Sequence, residues 1–210
     1  MPAVLAATAL LAIVGLVVCA FSTWVLFQKR TEFALRTLQG AYLPEIEQSL
    51  LDPQTKAAVR EEIRELADQM QRGQYENWQS AGILQRLQRL PVLQWGQLQA
   101  VQAFVEAQGS PPQVAAAERQ FSRLRRAVEL GKATSFDFQK VLSPVYQSDD
   151  ADPSGQRLIE PLTLPAATEV IEQAKRVADR AQVPDQDWED IQLEQIVRRE
   201  IQAGASAGGF

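Results

Sequence analysis

Histidine is absent from the 210 residues, and cysteine occurs once, at position 19. Zinc sites built on His and Cys are thereby excluded, and so are His-based catalytic triads and Cys–His pairs. No disulfide can form within one chain. Strand signals are scarce, because no stretch of four to eight residues alternates cleanly among Val, Ile, Thr and aromatics. A glycine-rich phosphate loop, a nucleophile elbow and a Ser–Lys motif are all missing. Carboxylate pairs can be drawn on many faces, but no accompanying motif marks one for hydrolysis. The sequence therefore names no specific activity and no cofactor.

Charge is also missing from one end. Of 21 basic and 26 acidic residues, none precedes Lys29. The chain reads as two objects: an uncharged leader of 28 residues, then a polar region of about 180, enough for one domain with its own core.

Pro2 to Phe27 carries no charge. A helix rises ~1.5 Å per residue, so ~20 apolar residues cross a ~30 Å hydrocarbon core. Trp24 and Phe27 suit the interfacial end, just before Lys29 and Arg30. An uncleaved signal anchor over 1–28 fits best. A cleaved secretory signal at Val18-Cys19-Ala20 lacks a basic start, and its apolar run continues past the cut. A lipidated Cys19 would follow the bulky Val18, which such sites disfavour. Lys29, Arg30 and Arg36 follow the span, and only the terminal amine precedes it. The positive-inside rule then places the polar region in the cytoplasm, on a single-pass protein of a bacterial-type inner membrane.

Helix formers dominate the rest. Gln occurs 26 times and is dispersed, as on helix surfaces. The fold class predicted is all-α: one transmembrane helix, then two to three amphipathic helical hairpins. Phe33, Leu35, Leu38, Leu43, Ile46 and Leu50 suggest a juxtamembrane helical segment over 29–51, broken near Gly40 or Pro44. Asp52-Pro53 is an N-cap with a first-turn proline. Val59, Ile63, Leu66 and Met70 follow at helical spacing, and Gly73 sits where a left-handed cap residue is favoured.

The same design returns 58 residues later. Ser110-Pro111 stands for Asp52-Pro53. Ala117, Phe121, Leu124 and Val128 take the four core places, and Gly131 replaces Gly73. Trp78, Ile83 and Leu84 correspond to Phe136, Val141 and Leu142. We read 52–147 as a duplicated hairpin region, its hairpins over 53–90 and 111–147 joined by a helix at 92–107. A looser third hairpin is expected within 164–203, with Pro165 opening its first arm and Asp185 capping its second. Residues 148–163 read as an acidic Pro/Ser loop and 204–210 as a disordered tail.

Candidate chemistry is thin. Asp150, Asp152 and Ser154, followed by Gly155, match the front of a calcium loop. Position twelve should be a bidentate Glu, yet it is Pro161, and Glu160 falls one short. An acidic solvated turn is the better reading, and the three are weak metal candidates. Arg119, Arg123 and Arg126 share a helix face, with Arg125 beside it. They suit an acidic partner or lipid, but a solvated face paired with Glu118 and Glu129 is the better reading. The net charge of −5 argues against nucleic acid. Residues 91–140 carry net +2 and 141–210 net −7, a contrast that suits internal pairing or a basic partner. Trp78, Trp95 and Trp188 are candidate partner contacts that suit core positions as well.

The reading that results is a membrane-tethered interaction or scaffold module without catalysis. Lipid meets residues 2–27, another protein meets the polar region, and homo-oligomerisation stays open. Two rivals are a membrane-bound enzyme or calcium-responsive module using Asp149–Glu160, and an accessory subunit that binds through its transmembrane helix.

Overall fold

The computed structural model describes residues 29–149 and 155–207. The expected membrane anchor at 1–28 lies outside the described residues. None of the described helices is long and apolar enough to cross a membrane. The fold is all-α apart from one short β-hairpin.

Helix α1 (Arg30–Thr37) passes through a π-helical turn at Leu38–Tyr42 into α2 (Leu43–Gln48). The expected break near Gly40 or Pro44 is thus a widened turn. Pro44 has no N–H, and in a regular helix its ring meets the carbonyl four residues back, at Gly40. Leu43 N–H instead donates to Leu38 O, five residues back, so the axis continues.

Helix α3 (Pro53–Gln71) starts at Asp52, whose carboxylate accepts from Gln54 N at 3.1 Å and Thr55 N at 2.9 Å. Val59, Ile63, Leu66 and Met70 are all buried. Helix α4 (Asn77–Arg89) is opened by a capping box between Glu76 and Gln79. Helix α5 (Val92–Gln108) leads to α6 (Pro111–Glu129), opened by a capping box between Ser110 and Gln113. Helix α7 (Ser135–Leu142) begins with a third, between Thr134 and Asp137.

The 58-residue correspondence reaches into the backbone. Gly73 and Gly131 adopt φ of 71° and 69°. Gly73 N donates to Met70 O and Gln74 N to Gln69 O; Gly131 N donates to Val128 O and Lys132 N to Ala127 O. The Glu76–Gln79 and Thr134–Asp137 boxes stand at the same offset. Helix α5, read from the sequence as a connector, packs on α6 and α7 as α1 and α2 pack on α3 and α4. Each unit therefore contains an entry helix as well as a helix pair.

Helix α7 stops at Leu142 and continues as a 3-10 turn at Ser143–Val145. Strands β1 (Tyr146–Ser148) and β2 (Gln156–Leu158) then pair antiparallel, Tyr146 opposite Leu158. Part of the stretch read as loop is thus a hairpin. Tyr146 hydroxyl fastens it to α5 by donating to Gln97 Oε1 at 2.5 Å.

The third hairpin departs from expectation. Helix α8 (Leu164–Arg180) packs on α6 and α7, whereas α9 (Leu193–Ala207) packs on α4 and α3. Their apolar faces are covered by different units, so the two helices separate instead of forming a pair. The second arm starts at Leu193, well after Asp185. The expected tail is also shorter: α9 continues to Ala207, and Gly204 is buried. A Cβ on Gly204 would lie 2.6 Å from Ile83 Cα, so this glycine lets α9 cross α4 at close range. The core joins both units through Ile63, Ile83, Leu98, Phe121, Leu124 and Phe138, all fully buried. Each such side chain contributes about 1.5–3 kcal/mol on leaving water.

Candidate binding surfaces

The basic face of α6 and the acidic segment after α8 meet each other. Helix α8 ends in a left-handed turn with Gln182 at φ 58°. That turn presents its last carbonyls to Arg123, whose side chain is only 3 % exposed. The guanidinium donates to Asp179 Oδ1 and Val183 O at 2.6 Å, Gln120 Oε1 at 2.7 Å and Pro184 O at 3.1 Å. A cation here also offsets the negative end of α8. Arg119 reaches Asp187 at 3.5 Å, and Arg126 pairs with Glu129 while lying 4.7 Å from the Trp188 ring centre. Trp188 N donates to Ser122 Oγ at 3.2 Å. Part of the charge contrast between the middle and the last third is thus paired inside the chain at this junction.

Burial decides two of the candidate contacts. Arg123 and Trp95 are buried and hold the fold, so neither is presented to a partner. Arg119, Arg126 and Trp188 remain partly exposed around the α6 junction. Trp78 is 43 % exposed, and Phe136, its counterpart 58 residues on, is 73 % exposed. Each is the second residue of its helix, α4 or α7. The two units thus display an aromatic at the same place, a pairing that the offset in the sequence contained but that exposure alone reveals.

Arg125, left off the basic face by the sequence reading, has the most unusual setting. It points inward, 5.6 Å from the Trp95 ring centre, and Trp95 stacks on Phe138 at 6.2 Å. Nη2 donates to Gln102 Oε1 at 2.8 Å, and Nε is buried with no hydrogen-bond partner. Desolvation pulls the guanidinium pKa down to about 10, against a smaller opposing effect of Glu106. It lines a cavity of about 310 Å³ with Trp95, Gln99 and the first residues of α9.

Two larger grooves are more apolar. One of about 530 Å³ lies between α1 and α4, lined by Phe33, Ala81 and Leu84 and framed by Lys29, Arg30 and Arg36. Phe33 is 65 % exposed there. The other, about 690 Å³, lies between α5 and the β-hairpin, lined by Leu50, Leu93, Phe104, Leu158, Pro161 and Leu162.

The weak metal candidates Asp150, Asp152 and Ser154 lie outside the described residues. Beside them, Asp149 pairs with Arg157 at 3.2 Å across the hairpin, and Asp149 N donates to Gly155 O. Among the described residues no group of three or more Cys, Asp or Glu is placed to hold a metal ion. Comparison with protein-family models, with curated proteins and with solved structures finds no match.

Proposed function

We propose that the chain is a membrane-tethered helical binding module, without catalysis, that engages a protein partner close to the bilayer. The observation that supports this most is how α1 is held. Thr31 hydroxyl bridges to Asn77 Oδ1 at 2.8 Å and to Ser80 Oγ at 3.0 Å. The uncharged leader ends two residues before α1 begins. A span over 1–28 would therefore deliver the body to the membrane at a fixed point, with the α1–α4 groove beside it. Tethering raises the effective concentration of such a groove against membrane-bound partners. Three basic residues and one acidic residue, Glu32, frame that groove, which suits a partner segment that is apolar with acidic flanks. On this reading the protein sits in the inner membrane with its body in the cytoplasm.

The test separates tether from groove. The full chain should stay in the membrane pellet after alkaline extraction, and Leu11→Lys with Val14→Lys should release it. Phe33→Glu should leave it in the pellet but abolish crosslinking from a photoreactive group at Gln85 to a membrane protein. Extraction of the unaltered chain would sink the tether, and unchanged crosslinking in Phe33→Glu would sink the groove.

A further inference from the structure

We propose that the cavity between α3, α6 and the start of α9 binds a small oxyanion, a carboxylate or phosphate group of a small molecule, through Arg125. This goes beyond the tethered-module reading and is independent of it.

Arg125 carries a charge that no ion pair among the described residues neutralises. Among the described residues no carboxylate lies within ion-pair distance of Arg125, whereas its helix neighbours are paired, Arg123 with Asp179 and Arg126 with Glu129. Removing a cation from water without a counter-ion costs several kcal/mol. Two of the nearby acids, Asp52 and Glu106, are engaged elsewhere. Asp52 caps α3 and binds Gln99 Nε2 at 3.0 Å. Glu106 accepts from Gln102 at 2.9 Å and reaches Arg125 only through that amide. The lowered guanidinium pKa has the same cause, desolvation.

The second observation is independent of Arg125. Ile191, Gln192, Leu193 and Glu194 line the same cavity at the start of α9. The first backbone hydrogen bond there is Ile196 N to Gln192 O, and Gln192 Oε1 accepts from Gln195 Nε2 instead of capping the helix. No acceptor among the described residues meets the N–H groups of Leu193 and Glu194. The positive end of a 15-residue helix and a buried guanidinium therefore share one wall. Gln54 and Thr55 add neutral hydrogen-bonding groups opposite. At about 310 Å³ the space is at the small end of ligand pockets. Glu194 at the rim opposes an anion, so its removal is a signed control.

The experiment titrates the full chain in detergent with sodium phosphate, sodium acetate and sodium succinate, each against sodium chloride of equal ionic strength. Tryptophan emission is followed with Trp78→Phe and Trp188→Phe in place, so that Trp95 dominates the response from the body. A saturable change with at least one probe is expected, and which probe saturates separates phosphate from carboxylate. Arg125→Gln should weaken it at least tenfold, with the cooperative melt retained. Glu194→Gln, an isosteric change at a half-buried position, should tighten it several-fold. No saturable change with any probe in either the parent or Glu194→Gln overturns the proposal. So does equal affinity in parent and Glu194→Gln.

Discussion

Arg123 on α6 holds Asp179 on α8 at 2.6 Å, and the same guanidinium takes Val183 O at 2.6 Å and Pro184 O at 3.1 Å. One buried cation thereby fixes where α8 ends and where the following segment turns. Arg123→Met should cost about 3–5 kcal/mol, because it strands buried acceptors. Asp179→Asn should cost less than about 1 kcal/mol, since Asp179 is half exposed. Urea melts of both variants check the asymmetry; equal losses would contradict it.

Gly73 and Gly131 both need a positive φ. A Cβ at either meets nothing within 4 Å, so substitution there is a matter of backbone strain alone. Alanine should therefore cost about 1 kcal/mol at each site, and the two losses should add because the turns are independent. Melts of the two single variants and the double variant test this; a double loss well above the sum would show coupled units.

Gly204→Ala is a different case. The added carbon would sit 2.6 Å from Ile83 Cα and 2.7 Å from Ile83 N. Backbone cannot yield as a side-chain tip can, so α9 must move away from α4. A loss of about 1–3 kcal/mol is expected. Amide exchange should quicken in α4 and α9 and stay slow in α6 and α7; uniform quickening would refute a local effect.

Acid sensitivity should trace partly to Asp52. Burial alone would raise its pKa, but hydrogen bonds from Thr55, Gln99 and Gln54 outweigh that, so it lies below the ordinary 3.8. A folded value below the unfolded one means stability present above the unfolded pKa and lost as pH falls through the folded one. Between about pH 4 and pH 2, the melting temperature of Asp52→Asn should fall less steeply than that of the parent. Parallel curves would remove Asp52 from the account.

The helix starts were legible because caps are local chemistry. Asp52 and Ser110 each satisfy their own first turn, and no distant residue is needed to see it. The core places at Val59, Ile63, Leu66 and Met70 were legible through spacing. The end of the chain was not. Asp185 to Asp190 has the acidic composition of a helix start, yet Arg123, Arg119 and Ser122 hold that segment extended over α6, and Asp190 turns at φ 59°. Tertiary partners overrode a local preference there. The same holds for the site residues. Arg123 and Arg125 lie two apart on one basic helix, and only the packing of α8 and Trp95 shows that Arg123 is buried and Arg125 turned inward. Phe136 is apolar yet exposed, because no helix among the described residues covers that face of α7.

The last helix closes on the first unit. Arg86 meets Glu200 at 2.9 Å, Gln79 donates to Ala205 O at 3.0 Å, and Arg198 pairs with Glu62. These contacts join residues more than 110 positions apart. During synthesis α4 emerges well before α9, so the apolar flank of α4 stays bare until α9 has left the ribosome. A nascent chain stalled before Leu193 would expose Ile83 and its neighbours, where a chaperone or a neighbouring chain can reach them. Folding of the first unit therefore waits on a helix made long after its own last residue.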